Sequence, residues 1–227
     1  MQKSKFIAIE GADGAGKSTQ IKLLTEYLEH KGVATRFVHF PRLNKGLFGE
    51  VIARFLRGEF GESDKVHPQL VALLFAEDRK EFAHTLKGWL SEGCYVLVDR
   101  YVYSNIAYQC AKIQDPLEKM ALKKWILTLE FEYNQIPQPD LSLYLDVPLN
   151  FTRKALEDER EGLDRVYLQG KSDIHEKDID LQASVKIEYE SLIQTENDFQ
   201  RVVCYNENGS MKSIEQIHSR ILSLVGI

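Results

Sequence analysis

A chain of 227 residues has room for one α/β domain with a well-buried core. Its balance, 44% hydrophobic and 28% charged, is that of a globular protein rather than a disordered or fibrous one. A net charge of −5 argues against a broad basic nucleic-acid surface, although a local basic pocket is still allowed.

In chain order, short apolar runs alternate with longer helix-like stretches, the βαβ signature of a mostly parallel sheet. Strands are expected over Lys5–Glu10, Ala34–Phe40, Tyr95–Asp99, Leu141–Asp146 and Arg201–Tyr205. Helices are expected over Lys17–Lys31, Leu47–Leu56, Pro68–Glu92, Leu117–Asn134, Leu149–Glu159, Ile179–Gln194 and Ile214–Leu224. Pro137-Gln138-Pro139-Asp140 reads as a rigid turn into a strand. Glu157–Lys177 is dense in charge and carries Gly162 and Gly170, the composition of a surface flap rather than a domain boundary. The expectation is a single domain over 1–227 with a lid at about 157–177. Cys94, Cys110 and Cys204 form neither a zinc spacing nor a disulfide framework, which suits a reducing compartment. The first strand begins within a few residues of Met1, and no run reaches the ~18 apolar residues of a membrane helix. A cytoplasmic location is expected.

The first strand runs into Gly11-Ala12-Asp13-Gly14-Ala15-Gly16-Lys17-Ser18-Thr19, which fits the phosphate-loop pattern G-x-x-x-x-G-K-S/T without departure. Each residue type has a chemical reason. The glycines let backbone N–H groups turn inward around phosphate oxygens. The helix that follows aims the positive end of its dipole at the same anion. Lys17 brings a point charge to the transferring phosphoryl group and Ser18 a hydroxyl for Mg²⁺. Asp13 is unusual, because a carboxylate repels phosphate. It suits a sugar hydroxyl or an Mg²⁺-bound water, or else serves as a plain turn or capping residue. Binding of a nucleoside triphosphate follows; the loop alone does not separate a kinase from an ATPase or GTPase motor.

A second constellation ends the strand Tyr95–Asp99. An Asp at the carboxyl end of a parallel strand lies where open α/β sheets bind ligands, so Asp99 is a candidate for the Mg²⁺ water shell. Arg100 is a fork-shaped donor suited to phosphate. The following Ser104-Asn105-Ile106-Ala107-Tyr108-Gln109 offers polar side chains for a base or a sugar.

Together these motifs resemble the thymidylate kinase family. The phosphate loop has the family's internal Asp. His39-Phe40-Pro41-Arg42 is similar to its Phe-Pro-Arg segment, and Leu74–Arg79 to its Phe-Ala-x-x-Arg helix. Val98–Gln109 is similar to its Asp-Arg-Tyr…Ser-Asn-x-Ala-Tyr run, and Asp173–Glu176 falls where its lid joins the next helix. The resemblance spans almost the whole chain with the motifs in family order. It implies a P-loop NTPase fold, three-layer α/β/α with a roughly five-stranded parallel sheet. It implies phosphorylation of dTMP to dTDP by ATP with Mg²⁺, and a homodimer. Position by position, it implies that Phe75 stacks on thymine, Arg79 bonds a base carbonyl and Asn105 meets the base edge. Arg100, helped by Arg42 beside Pro41, holds the acceptor phosphate near Ser104. Tyr108 crowds the sugar 2′ position. Asp13 meets the 3′-hydroxyl region and the Mg²⁺ shell, which Glu176 supports. Stacking supplies affinity without choice, so choice falls to Arg79 and Asn105. Gly14 stands where some members carry a loop arginine. The catalytic arginine is therefore expected in the lid, from Arg160 or Arg165 with Arg153 nearby, as in the bacterial-type enzymes through Gly162-Leu163-Asp164-Arg165. His175 stands where some relatives carry Tyr, and its role is open.

Two other readings compete. The nearer is another small-nucleotide kinase, either a kinase of a different monophosphate or a deoxynucleoside kinase, which phosphorylates an uncharged hydroxyl and needs a carboxylate base, a role for which Glu10 is positioned in sequence. A nucleotide-driven switch or motor is the reading from another class, but the Asn-Lys-x-Asp run of a GTPase is absent and 227 residues leave little room for a partner domain.

Overall fold

The computed structural model describes residues 4–43, 45–152, 167–169 and 173–227, with only the backbone of 176 and 177. Five strands form one sheet: β1 Lys5–Glu10, β2 Thr35–His39, β3 Tyr95–Asp99, β4 Leu141–Asp146 and β5 Phe199–Val203. Their spatial order is β2-β3-β1-β4-β5, and every pairing is parallel. Among the described residues the helices are α1 Lys17–His30, α2 Gly46–Leu56, α3 Pro68–Ser91, α4 Val102–Cys110, α5 Pro116–Leu127, α6 Ile174–Lys177, α7 Ile179–Thr195 and α8 Ile214–Val225.

Strand alternation divides the core into two layers. Ile7 and Ile9 of β1 point toward Leu24 and Leu28 of α1 and Ile217 and Ile221 of α8. Phe6 and Ala8 point the other way, into a cluster with Leu86, Ile106, Ile126 and Val185 from α3, α4, α5 and α7. With both faces covered, β1, β3 and β4 can be apolar along their length, and that is how they read. A smaller cluster joins α2 (Ile52, Phe55, Leu56) and Val71 of α3 to Tyr167 and Leu168, which seats these two residues over the α2–α3 pair.

The structure departs from the sequence expectations at three places. The last strand lies two residues earlier than Arg201–Tyr205, because Phe199 is needed in the core: its ring stacks on Tyr103 at 4.6 Å and meets the edge of Tyr144 at 6.2 Å. The helix expected over Leu117–Asn134 is α-helical only to Leu127; Thr128–Tyr133 widens into a π-helical turn. The nine residues of α4, left without an element by the sequence, are all buried, so they show no amphipathic period. Of the expected helix Leu149–Glu159, residues 149–152 are helical and the rest lie outside the described residues.

One buried carboxylate ties the frame together beneath the site. Glu10 ends β1 with no exposure. The Tyr101 N–H donates to its Oε1 at 2.9 Å, and the hydroxyls of Ser104 and Tyr189 (3.2 Å) donate to Oε2. Burial raises its carboxyl above the ordinary range, opposed by the Ser104 bond and the Arg100 charge. Glu10→Gln exchanges an acceptor oxygen for a donor and strands at least one of these partners. We expect a loss of about 2–4 kcal/mol in urea unfolding and a fall in Tm of about 5–10 °C. A Tm within about 1 °C of the parent would show that Glu10 does not brace the frame.

Candidate active site

The phosphate loop turns directly out of β1. Gly11 has a φ of 148°, and a Cβ there would lie 3.1 Å from the Leu145 carbonyl oxygen of β4, so only glycine lets the two backbones approach. Gly16 has a φ of 85° and opens α1 with no side-chain cap, leaving the first N–H groups of the helix for an anion. Lys17 folds back across the loop, donating to the carbonyls of Gly11 (3.3 Å) and Ala12 (3.0 Å). Burial and the Arg100 charge depress its pKa against the pull of Asp99 and Asp13. Ser18 and Thr19 are exposed at the start of the helix.

Asp99 closes β3 beside the loop. Its Oδ2 lies 3.1 Å from His39 Nδ1, while its buried Oδ1 has no hydrogen-bond partner and stands 4.0 Å from Lys17 Nζ. Burial would raise this carboxyl, but Lys17 and His39 outweigh it and hold it low. An orphaned oxygen next to the Ser18 helix suits a divalent cation. Among the described residues no three His, Cys, Asp or Glu side chains gather as a cage. A single orphaned carboxylate oxygen suits Mg²⁺, which binds through one or two protein oxygens, waters and substrate phosphates. Both oxygens of Asp13 are taken by Arg100 and Tyr108, and the Glu176 side chain lies outside the described residues.

Arg100 is the centre of the next layer. Its φ is 64°, a left-handed conformation that is uncommon for a side-chain-bearing residue and occurs at functional turns. A bond from its N–H to the Ile9 carbonyl (2.9 Å) fixes the turn. The guanidinium donates to Asp13 Oδ1 (2.8 Å), Ser104 Oγ (3.2 Å) and Tyr108 Oη (3.2 Å). The Tyr108 hydroxyl in turn donates to Asp13 Oδ2 at 3.1 Å. Burial alone would push the Asp13 carboxyl up, yet the charges of Arg100 and Lys17 and these two hydrogen bonds hold it well below the usual carboxylate range.

Asp13, Arg100, Ser104 and Tyr108 line an open cleft together with Pro41, Phe75, Arg79 and Asn105. Away from the phosphate loop, buried Glu130 accepts from Arg79 Nε at 2.7 Å and from one of its terminal nitrogens. It also accepts from Asn105 Nδ2 at 3.2 Å, while the buried Asn105 Oδ1 has no partner. The cleft thus joins the Arg100–Asp13–Tyr108 cluster to an end with an aromatic face and fixed polar groups.

A model of the family described as thymidylate kinase matches residues 9–221. The chain belongs to the thymidylate kinase family. It is 34% identical over 222 residues to a probable thymidylate kinase of Pyrococcus horikoshii, a match covering 97% of this chain and 95% of that one. It is 33% identical over 170 residues to the thymidylate kinase of Plasmodium falciparum, covering 75% and 74%. The solved structure of thymidylate kinase from Candida albicans superposes with a TM-score of 0.73 at 24% identity, covering 99% of this chain and 92% of that one. That likeness bears on the fold, a P-loop NTPase fold with a five-stranded parallel sheet.

Not every residue expected of a thymidylate kinase site reaches the cleft. Arg42 is drawn to α3 instead: its backbone N–H and Nε donate to Asp78 at 2.9 and 3.0 Å, and a terminal nitrogen donates to Glu81 at 3.0 Å. Two carboxylates on one helix outbid the cleft for that guanidinium. Arg153, Arg160 and Arg165 lie outside the described residues. Tyr167, Asp173 and His175 line the cleft, although the sequence reading assigned none of them a role. Glu130 was missed outright. A lone Glu in a helical run carries no signal; only the π-helical turn brings it to Arg79, some fifty residues away in sequence. Glu130→Ala leaves the Arg79 guanidinium buried without its partner. Urea unfolding should register a loss of about 3–5 kcal/mol, and a loss under about 1 kcal/mol would show that the pair is not needed.

Proposed function

We propose that this chain transfers the γ-phosphoryl group of ATP to dTMP, giving ADP and dTDP. The observation that carries the reading is the shared cleft: Asp13 of a complete phosphate loop, with Arg100 and Tyr108, opens onto the same space as Phe75, Arg79 and Asn105. The loop amides and Lys17 hold the donor phosphates. Arg100 holds the acceptor phosphate, whose anionic oxygen attacks the γ-phosphorus while the bond to the ADP oxygen breaks. That oxygen is already a nucleophile, so the protein supplies positioning and charge rather than a base. Glu10 is consistent with this. Its two oxygens take three donors beneath the site, which disfavours the deoxynucleoside kinase reading.

Ser18 and Asp99 would hold Mg²⁺, with Asp13 and Glu176 as further candidates; the ion supplies charge neutralisation across the donor phosphates. Arg160 or Arg165 of the lid, at 157–177 of a single domain, brings a further positive charge to the transferring group. At the other end, Phe75 stacks on the thymine ring, and Arg79 and Asn105, held by Glu130, meet its edge. Tyr108 crowds the sugar. Pro41 and Ser104 complete the wall, and Arg42 acts through α3 rather than on the phosphate. The reading includes a homodimer in the cytoplasm. It is supported there by three buried free cysteines and by the lack, among the described residues, of a helix long and apolar enough to cross a membrane.

Two variants test the two ends of the cleft together. Lys17→Ala should lower kcat by about 100-fold or more, because a positioned cation is removed from the transition state. Arg79→Ala should raise KM for dTMP by about tenfold or more while KM for ATP stays near the parent value. Near-normal turnover in the first, or equal changes in both KM values in the second, would overturn the assignment.

A further inference from the structure

His175 lies at the rim of the cleft, yet it is only 6% exposed. Its backbone is fixed from two sides: the His175 N–H donates to Asp173 Oδ1 (2.7 Å), and Gln182 Nε2 donates to the His175 carbonyl (3.0 Å). The other Asp173 oxygen accepts from the Tyr167 hydroxyl at 2.7 Å. The imidazole lies 5.3 Å from the Tyr108 ring at an interplanar angle of 31°, and meets Phe55 edge-on at 5.4 Å. Lys112, just beyond α4, reaches the ring from behind. Its Nζ is 3.1 Å from His175 Nε2 and 3.1 Å from Gln109 Oε1, and it sits over Phe55 at 5.3 Å. An ammonium has only hydrogens to give, so Nε2 accepts and the imidazole hydrogen sits on Nδ1. The ring is therefore fixed in tautomer and in orientation.

Tyr108 is held by its hydroxyl through Arg100 and Asp13. Those bonds fix one end of the phenol and leave rotation about its long axis to be set by packing. His175 is a ring in contact with that phenol, and Lys112 is what holds His175. We propose that the Lys112–His175 pair sets sugar specificity by bracing the Tyr108 ring against the 2′ carbon of the acceptor, with His175 as a specificity-determining residue and Lys112 as a positioning residue. This rests on the reading that a deoxyribonucleoside monophosphate occupies the cleft. Without the brace, the phenol tilts and admits a 2′-hydroxyl.

The test compares kcat/KM for dTMP with that for ribothymidine 5′-monophosphate in the parent, His175→Ala, His175→Phe and Lys112→Met. A merely structural role would weaken both nucleotides equally and leave their ratio untouched. The brace predicts that the ratio falls about tenfold or more in His175→Ala. It falls in the same direction in Lys112→Met, and also in His175→Phe, which keeps a ring but loses the nitrogen that Lys112 holds. If His175→Ala does not fold by circular dichroism, Lys112→Met decides: a lowered ratio supports the brace and an unchanged ratio refutes it. Ratios within about twofold of the parent in both His175→Ala and Lys112→Met overturn the inference while leaving the kinase intact. A parent inactive on both nucleotides would instead refute the proposed function itself.

Discussion

The Arg100–Asp13 ion pair is the contact on which the site depends. It spans 2.8 Å between the end of β3 and the phosphate loop after β1, two adjacent parallel strands. Forming it requires Arg100 to leave the strand in a left-handed conformation, which is unfavourable for a residue with a side chain. The surroundings offset that cost with a backbone bond to Ile9 and with Ser104 and Tyr108 on the guanidinium. One arginine thereby registers the phosphate loop, through Asp13, against Ser104 and Tyr108 of α4. Positioning of this kind is what phosphoryl transfer requires, because the reacting oxygen is already charged.

Charge in the cleft is balanced by pairs rather than left as a bare positive field. Asp13 partners Arg100, Asp99 faces Lys17, and Glu130 holds Arg79. A buried ion pair of this type stabilises less than its Coulomb energy suggests, since both partners lose water. Its value here is geometric: each cation is held in one orientation before substrate arrives. The same economy explains why a chain with net charge −5 can hold two phosphates. The local field in the cleft, not the overall balance, meets the anion.

Much of this was legible in the sequence because its signals are local. The strand–loop–helix from Lys5 to His30 is written in consecutive residues, glycines included, and the apolar runs of β3 and β4 fall where they were expected. What escaped depends on contacts between distant segments. The helix α4 is buried all round and has no period to read. The start of β5 is set by where Phe199 packs, not by β-propensity at Arg201. Glu130 becomes part of the site only through the π-helical turn, and Arg42 leaves it only because Asp78 and Glu81 share a face of α3. The Lys112–His175 contact joins residues sixty-three positions apart and left no local mark.

The central claim is that this cleft selects dTMP as the phosphoryl acceptor. The most direct measurement supplies the purified protein with ATP and Mg²⁺ and offers dTMP, dUMP, dGMP, dCMP, AMP and thymidine one at a time while ADP release is followed. The account predicts fast release with dTMP, much slower release with the purine nucleotides, and none above background with thymidine, which lacks an acceptor phosphate. Release that is faster with thymidine or with a purine monophosphate than with dTMP would contradict it.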